Sequence, residues 1–113
     1  SSEAHNNLAN LFSFLNNPEA EFHYKKTIEL IPNEIYPRLN FSNYLIKSNK
    51  FSESLKYLKE LIDMGLESKE VYNSLGVSYK GLNDDESASK MFHKSLEIDP
   101  GFALAQKNLE SLN

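Results

Sequence analysis

At 113 residues and a formal charge of −4, the chain has room for one elongated core and lacks the basic surface that phosphate contacts require. Cysteine is absent, which excludes a disulfide framework, a thiolate zinc site and a cysteine nucleophile, and leaves the compartment open, cytoplasmic by default. No apolar run approaches the ~20 residues of a membrane span, no signal peptide is legible, and the start at Ser1-Ser2 without methionine fits a tag scar or a cut from something longer.

Residues 3 to 16 carry Leu8, Leu11, Phe12 and Leu15, spaced to line one helical face. Asn17-Pro18-Glu19 then supplies an N-cap residue, a proline at the first helical position and an acid in the first turn. A second helix is predicted from there, carrying Ala20, Tyr24, Ile28 and Ile31 to Pro32. Asn33 opens the next turn. Pro37 falls early in a third helix, about 34 to 48, where its missing N–H forfeits no helical bond. Asn49-Lys50 turns the chain into a fourth helix, about 51 to 64, with Leu55, Leu58, Leu61 and Ile62 on one face and Gly65 ending it as a C′ glycine. Ser68 caps a fifth helix that ends near Gly81, and Asn83-Asp84-Asp85-Glu86 is similar to a capping box opening the sixth. A seventh helix, Phe102 to Leu112, follows Pro100; its outer face (Gln106, Lys107, Glu110, Asn113) is polar. No segment alternates with period two, so the chain reads as all-α.

Side chains recur along these helices, and each recurrence has a steric reason. Small residues fall at Ala9, Ser42 and Gly76 on the first helix of each pair and at Ala20, Ser54 and Ala88 on the second. Antiparallel helices at the close end of the ~8–10 Å interaxial range need small side chains where their backbones meet. Tyr24, Leu58 and Phe92 are bulky and plug the groove to the next pair. Leu8, Phe41, Leu75 and Leu109 recur beside the small residues, and Ile28, Ile62 and Leu96 recur on the second helices. Within this frame Tyr72-x-x-Leu75-Gly76-x-x-Tyr79, Ala88-x-x-x-Phe92 and Pro100 resemble the tetratricopeptide pattern, with Tyr in place of its Trp. The resemblance implies a right-handed α-α superhelix in a single domain, with repeats at about 1–34, 35–68 and 69–100 and a capping helix at about 101–112. The first copy has one residue fewer between its helices, which predicts a tighter turn at Asn16-Asn17. The middle copy has Leu66 for the turn proline and Ser42 for the glycine. Glu110 occupies the close-packing position of a fourth copy, and a charge there ends the array, making the seventh helix a polar-backed cap. The other end carries Leu11, Phe12, Phe14, Leu15 and Phe22. Phe14 and Phe22 either pack locally or are covered by further repeats or a second copy of the chain.

Chemistry is hard to find. Gly76-Val77-Ser78-Tyr79-Lys80-Gly81 has the glycine spacing of a phosphate loop, but lacks the following Lys-Ser/Thr and lies inside a helix after no strand. His5, His23 and His93 have no partner at metal-ligand spacing, and Glu19 four residues before His23 reads as a helical ion pair. Asp84-Asp85-Glu86 lacks the loop spacing of an EF-hand and suits a helix N-terminus. The expectation is no enzyme, no metal and no cofactor.

In tetratricopeptide arrays the first helices of the pairs line a concave surface along which peptides lie. On that surface the resemblance places Asn7, Asn40, Ser74 and Asn108, joined by Asn10 and Asn43 three residues on from the first two and by Asn73. Asparagine offers a donor and an acceptor, so such a ladder can grip the backbone of an extended peptide, as in O-linked N-acetylglucosamine transferases. Between the amides lie Tyr36, Leu39, Ile46 and Val77, with Lys47 and Lys80 giving a mildly basic side toward Lys107. Tyr36 and Leu39 are the expected apolar anchors. The carboxylate clamp of heat-shock co-chaperones is not expected: its amides have counterparts in Asn10 and Asn43, but its basic positions fall on Asn6, Glu70 and Ser74. The implied function is a protein-interaction module, an adaptor or assembly scaffold, with no nucleic acid or membrane partner. Two alternatives are the peptide-gripping array of a larger enzyme and a structural array that self-associates through its N-terminal end.

Overall fold

The computed structural model describes the backbone over residues 2–14 and 18–112 and side chains over 3–11 and 18–112. Within these bounds lie α1 (Ser2–Phe14), α2 (Glu19–Leu30), α3 (Ile35–Lys47), α4 (Phe51–Asp63), α5 (Lys69–Gly81), α6 (Asp85–Ile98) and α7 (Ala103–Glu110), with no strand among the described residues. Expectations that rest on the side chains of Phe12 and Phe14, or on Leu15, Asn16, Asn17 and Asn113, lie outside the described residues.

Turn chemistry explains where the helices stop. Gly65 sits at φ +95°, and the N–H of Leu66 reaches back to the Leu61 carbonyl while that of Gly65 bonds Ile62, a Schellman end to α4. Asn49 (φ 59°) and Asn83 (φ 63°) close α3 and α5 in the same way, through Lys50 N–H to Leu45 and Asp84 N–H to Tyr79. Asparagine is the residue besides glycine that best tolerates this left-handed position. Part of the chain's asparagine content is therefore spent on ending helices. The capping box expected from Asn83 to Glu86 is not formed. Asn83 belongs to the end of α5, and the N-cap of α6 is Asp84, which accepts from the Ser87 N–H at 3.1 Å. Ser68 caps α5 as expected, accepting from Val71.

Consecutive helices pack antiparallel as hairpins. Ala9, Ser42, Gly76, Ala20, Ser54 and Ala88 are all buried. Tyr24 stacks on Phe41 of the next hairpin, and Leu58 joins Val71, Tyr72 and Leu75 of the next. Phe92, expected to plug the groove beyond, instead lays its ring on Gly76 of its own hairpin. Serine suits a small-residue position because its hydroxyl returns to a main-chain carbonyl: Ser42 to Arg38 at 2.7 Å and Ser54 to Phe51 at 2.8 Å. The core forms two consecutive clusters. One centres on Tyr24, Phe41, Tyr44 and Leu45, the other on Leu58, Leu61, Val71, Tyr72 and Leu75.

The odd-numbered helices touch one another in succession, whereas α2, α4 and α6 meet only α-helices of odd number. The stack therefore bends with the odd helices inside, and its extents of 43 × 26 × 21 Å are those of a row of hairpins laid side by side. At its C-terminal end α7 buries Ala105 and leaves Glu110 exposed, as a cap requires. At its N-terminal end Leu8, Leu11 and Phe22 are exposed.

Candidate functional site

The inner face of the bend is built from α1, α3, α5 and α7, and every residue expected there lies on one of these four helices. Asn7 and Asn10 are exposed on α1. Tyr36, Leu39, Asn40, Asn43 and Lys47 run along α3, with Tyr36 69% exposed and Leu39 half-buried below it. Asn73, Ser74, Val77 and Lys80 are half-buried on α5, and Asn108 on α7.

The amides do not form a uniform ladder. Asn10 accepts from the Tyr24 hydroxyl at 2.9 Å, and Asn108 donates to Asn73 Oδ1 at 3.0 Å, so three of the expected contacts are already engaged within the chain. The cause is reach. Adjacent inner helices lie close enough for two short amides to bond each other, which saves each the cost of waiting for a ligand. Asn7, Asn40 and Asn43 make no side-chain hydrogen bond among the described residues. Lys80 donates to Ser111 Oγ at 2.6 Å, tying α5 to the end of the cap.

Tyr36 and Leu39 line a hollow of about 310 Å3 together with Ile35, Leu66, Ser68 and Glu70. The last four were not expected there. The legible signal was Leu66, an apolar residue where the repeat pattern calls for the turn proline, which extends the apolar wall from α3 to the α4–α5 turn. Charge is sorted across the face: Glu34 and Glu70 stand at the helix starts, Lys47, Lys80 and Lys107 at the ends, each with the favoured sign for its helix dipole.

Two expectations about chemistry resolve differently. Gly76 and Gly81 lie within α5 against the rings of Phe92 and Phe51, so their spacing reflects packing. His5 of α1 and His23 of α2 meet Nδ1 to Nδ1 at 2.8 Å, although 18 residues separate them. Hairpin pairing makes that contact, and no sequence spacing announces it. Partial burial and the neighbouring His23 hold His5 below the ordinary histidine range. No group of three potential ligands gathers among the described residues.

Residues 69–102, which span α5, α6 and the turn beyond, match the tetratricopeptide repeat family model. The chain carries a tetratricopeptide repeat over these residues. Its fold is the tetratricopeptide superhelix: it is similar to the N-terminal domain of stress-induced protein-1 from C. elegans, at a TM-score of 0.83 and 26% identity over 96% of this chain and 92% of that one. The first tetratricopeptide domain of Spaghetti (RPAP3), bound to the HSP90 peptide SRMEEVD, superposes at 0.89 with 18% identity over 98% of this chain and 89% of that one. YrrB, described as having an unusual peptide-binding site, superposes at 0.90 with 21% identity, covering 97% of this chain and 57% of its own. By sequence the chain is 29% identical over 101 residues to stress-induced-phosphoprotein 1 of Caenorhabditis elegans, which takes in 81% of this chain and 32% of the relative. This tetratricopeptide chain thus spans about a third of that relative.

Proposed function

We propose that this protein is a non-enzymatic interaction module whose inner face holds an extended segment of a partner protein. The observation that carries the reading is the apolar hollow at Tyr36, Leu39 and Leu66, flanked by the α3 amides of Asn40 and Asn43, which are unengaged among the described residues. An apolar side chain of the partner seats in the hollow, and the two amides bond its main chain, a division of labour in which the pocket selects and the amides hold. The domain bound to the HSP90 peptide supports peptide binding as a use of this architecture. It also marks a difference. That peptide, SRMEEVD, ends in acidic residues, whereas Glu70 stands exposed on the rim of the hollow here. A carboxylate brought to Glu70 meets repulsion and finds none of the charge-assisted bonds worth ~1.5–3 kcal/mol each that would hold it.

The test is a selection from a random peptide library on the purified chain, followed by affinity measurement of the recovered peptides. Asn40→Ala with Asn43→Ala is expected to weaken them about tenfold, since two ordinary hydrogen bonds contribute ~0.5–1.5 kcal/mol each, with the helical circular dichroism unchanged. Leu39→Glu is expected to abolish them. Equal affinity in all three proteins would sink the proposal, and so would tight binding of SRMEEVD itself. Self-association is a second use, favoured by the exposed Leu8, Leu11 and Phe22 at one end. A concentration-dependent mass in solution that falls to one chain in Leu11→Glu would establish it, and a constant monomer mass would dismiss it.

A further inference from the structure

The outer face of the bend has two grooves, one between α2 and α4 and one between α4 and α6. They lie one repeat apart, and the second is open. In the first, Tyr57 of α4 packs on Phe41 of α3 with ring centroids 4.8 Å apart, and the Arg38 guanidinium of α3 donates to Glu60 of α4 at 2.9 Å. Moving on by one repeat period of about 34 residues takes Phe41 and Tyr57 to Leu75 and Met91, and Arg38 and Glu60 to Tyr72 and Lys94. An aromatic plug is thus replaced by a slender thioether chain, and an ion pair by an ammonium 5.5 Å from a phenol ring centroid.

The exchange opens about 500 Å3 above Leu75 and Tyr79, between Ile62 on α4 and Met91 on α6. The space continues past Tyr72 into a second hollow of about 310 Å3, bounded by Glu67, Glu97 and Ile98. The two share Tyr72, Glu67 and Lys94, so they form one trough along the outer side of α5. Its floor is apolar. Its far end is acidic: Asp63, Glu67 and Glu97 have no basic partner among the described residues, and Lys94, laid over Tyr72, offsets only one of the three. Glu67 accepts the Tyr72 hydroxyl at 2.6 Å. That bond, then burial, then the negative charge of Glu67 and Glu97 push the phenol up to about 12. At the opposite end Lys59 lies 5.7 Å from the Tyr79 ring centroid.

We infer that this trough is a second docking surface, on the face away from the peptide site, for a protein segment that lays an aliphatic side chain over Leu75 and Met91 and places an arginine or lysine between Glu67 and Glu97. The charge pattern selects the occupant. An acidic segment or a phosphate would add negative charge beside three carboxylates, whereas a cation completes them. Met91 supplies an adaptable wall, as methionine does where a surface must accept varied aliphatic shapes. The inference stands independently of what the inner face binds.

The chain has two methionines, Met64 at the end of α4 and Met91 in the trough, so methyl-labelled methionine gives one reporter inside and one outside. The probe is a random twelve-residue peptide library, depleted first on Met91→Tyr, which restores the aromatic of the preceding repeat and fills the trough while leaving the inner face intact. Peptides recovered on the wild-type chain are expected to share an aliphatic residue with an arginine or lysine nearby. They should shift the Met91 methyl resonance but not that of Met64, and weaken at least about tenfold on Glu67→Gln with Glu97→Gln, two surface changes that leave the fold alone. The inference is overturned if nothing is recovered beyond what Met91→Tyr also binds, if the recovered peptides are acidic, or if they shift Val77 of the inner face in place of Met91. A dimeric mass abolished by Met91→Tyr would assign the trough to a second copy of the chain and overturn it equally.

Discussion

Gly76 and Phe92 meet across the α5–α6 crossing with no room for a methyl group between them. A Cβ added to Gly76 would fall inside the envelope of the Phe92 ring, which is itself fully buried. Gly76→Leu is therefore expected to lower stability by ~1–3 kcal/mol or more, read from urea unfolding. Gly76→Ala should lower it less, and Phe92→Leu in the same chain should recover part of that loss, because the smaller side chain vacates the space the new methyl needs. A Gly76→Leu variant as stable as wild type would show that the crossing is looser than described.

Ser54 and Ser78 form a buried pair at 2.6 Å between α4 and α5. Ser54 also bonds the Phe51 carbonyl, so its proton is committed there and Ser78 is the donor of the pair. Ser54→Ala is expected to cost about 1–3 kcal/mol by leaving the Ser78 hydroxyl buried without that acceptor. Replacing both should cost less than the two single changes added together. A double-mutant cycle that comes out additive would remove the pair from the account.

Acid should weaken the fold through carboxylates at helix ends. The Lys69 ammonium, then the Gly101 N–H, hold Asp99 below the usual carboxylate range, and the Ser87 contacts do the same for Asp84. Lys50 first, then Lys25, lower Glu21 against the opposing cost of partial burial. Depressed carboxylates contribute stability that is complete above their unfolded values and lost as pH falls through the folded ones. The melting temperature is expected to be flat on this account from neutral pH down to about 5 and to drop below about 4. Asp84→Asn and Asp99→Asn should each make that acid limb shallower. An unchanged limb in both would place the acid lability elsewhere.

Alkaline titration offers a sharper check. The chain has six tyrosines, and Tyr72 is pushed up to about 12 by its bond to Glu67, by burial and by nearby carboxylate charge. A raised acid contributes stability that is present below its unfolded value near 10 and is lost as pH rises toward the folded one. Ultraviolet titration of the folded chain should show a late-ionising phenol that disappears in Tyr72→Phe. In Glu67→Gln that phenol should ionise earlier.

Much of this protein was legible in one dimension because its repeats constrain themselves. Ala9, Ser42 and Gly76 recur for a steric reason, and a side chain that must be small at a helix crossing announces the crossing wherever it stands. Gly65 announced the end of α4 by the same logic of local geometry. Asn83 misled, since asparagine serves both to end a helix and to cap the next, and only the Asp84 N–H bond to Tyr79 and the Ser87 N–H bond to Asp84 decide which.

Contacts between repeats belonged to the tertiary structure alone. The asparagines of the inner face were visible as a series, but not that Asn108 would spend its amide on Asn73 or Asn10 on Tyr24. Nor did the spacing of His5 and His23 foretell their meeting. The open outer trough depends on what Met91 and Lys94 fail to fill, and an unfilled volume has no residue to signal it. Local geometry is encoded within a few neighbours of each residue, so the amino-acid order settled the helices and their stacking. Which polar groups found each other, and which spaces stayed empty, was decided only when hairpins distant in the chain were brought together.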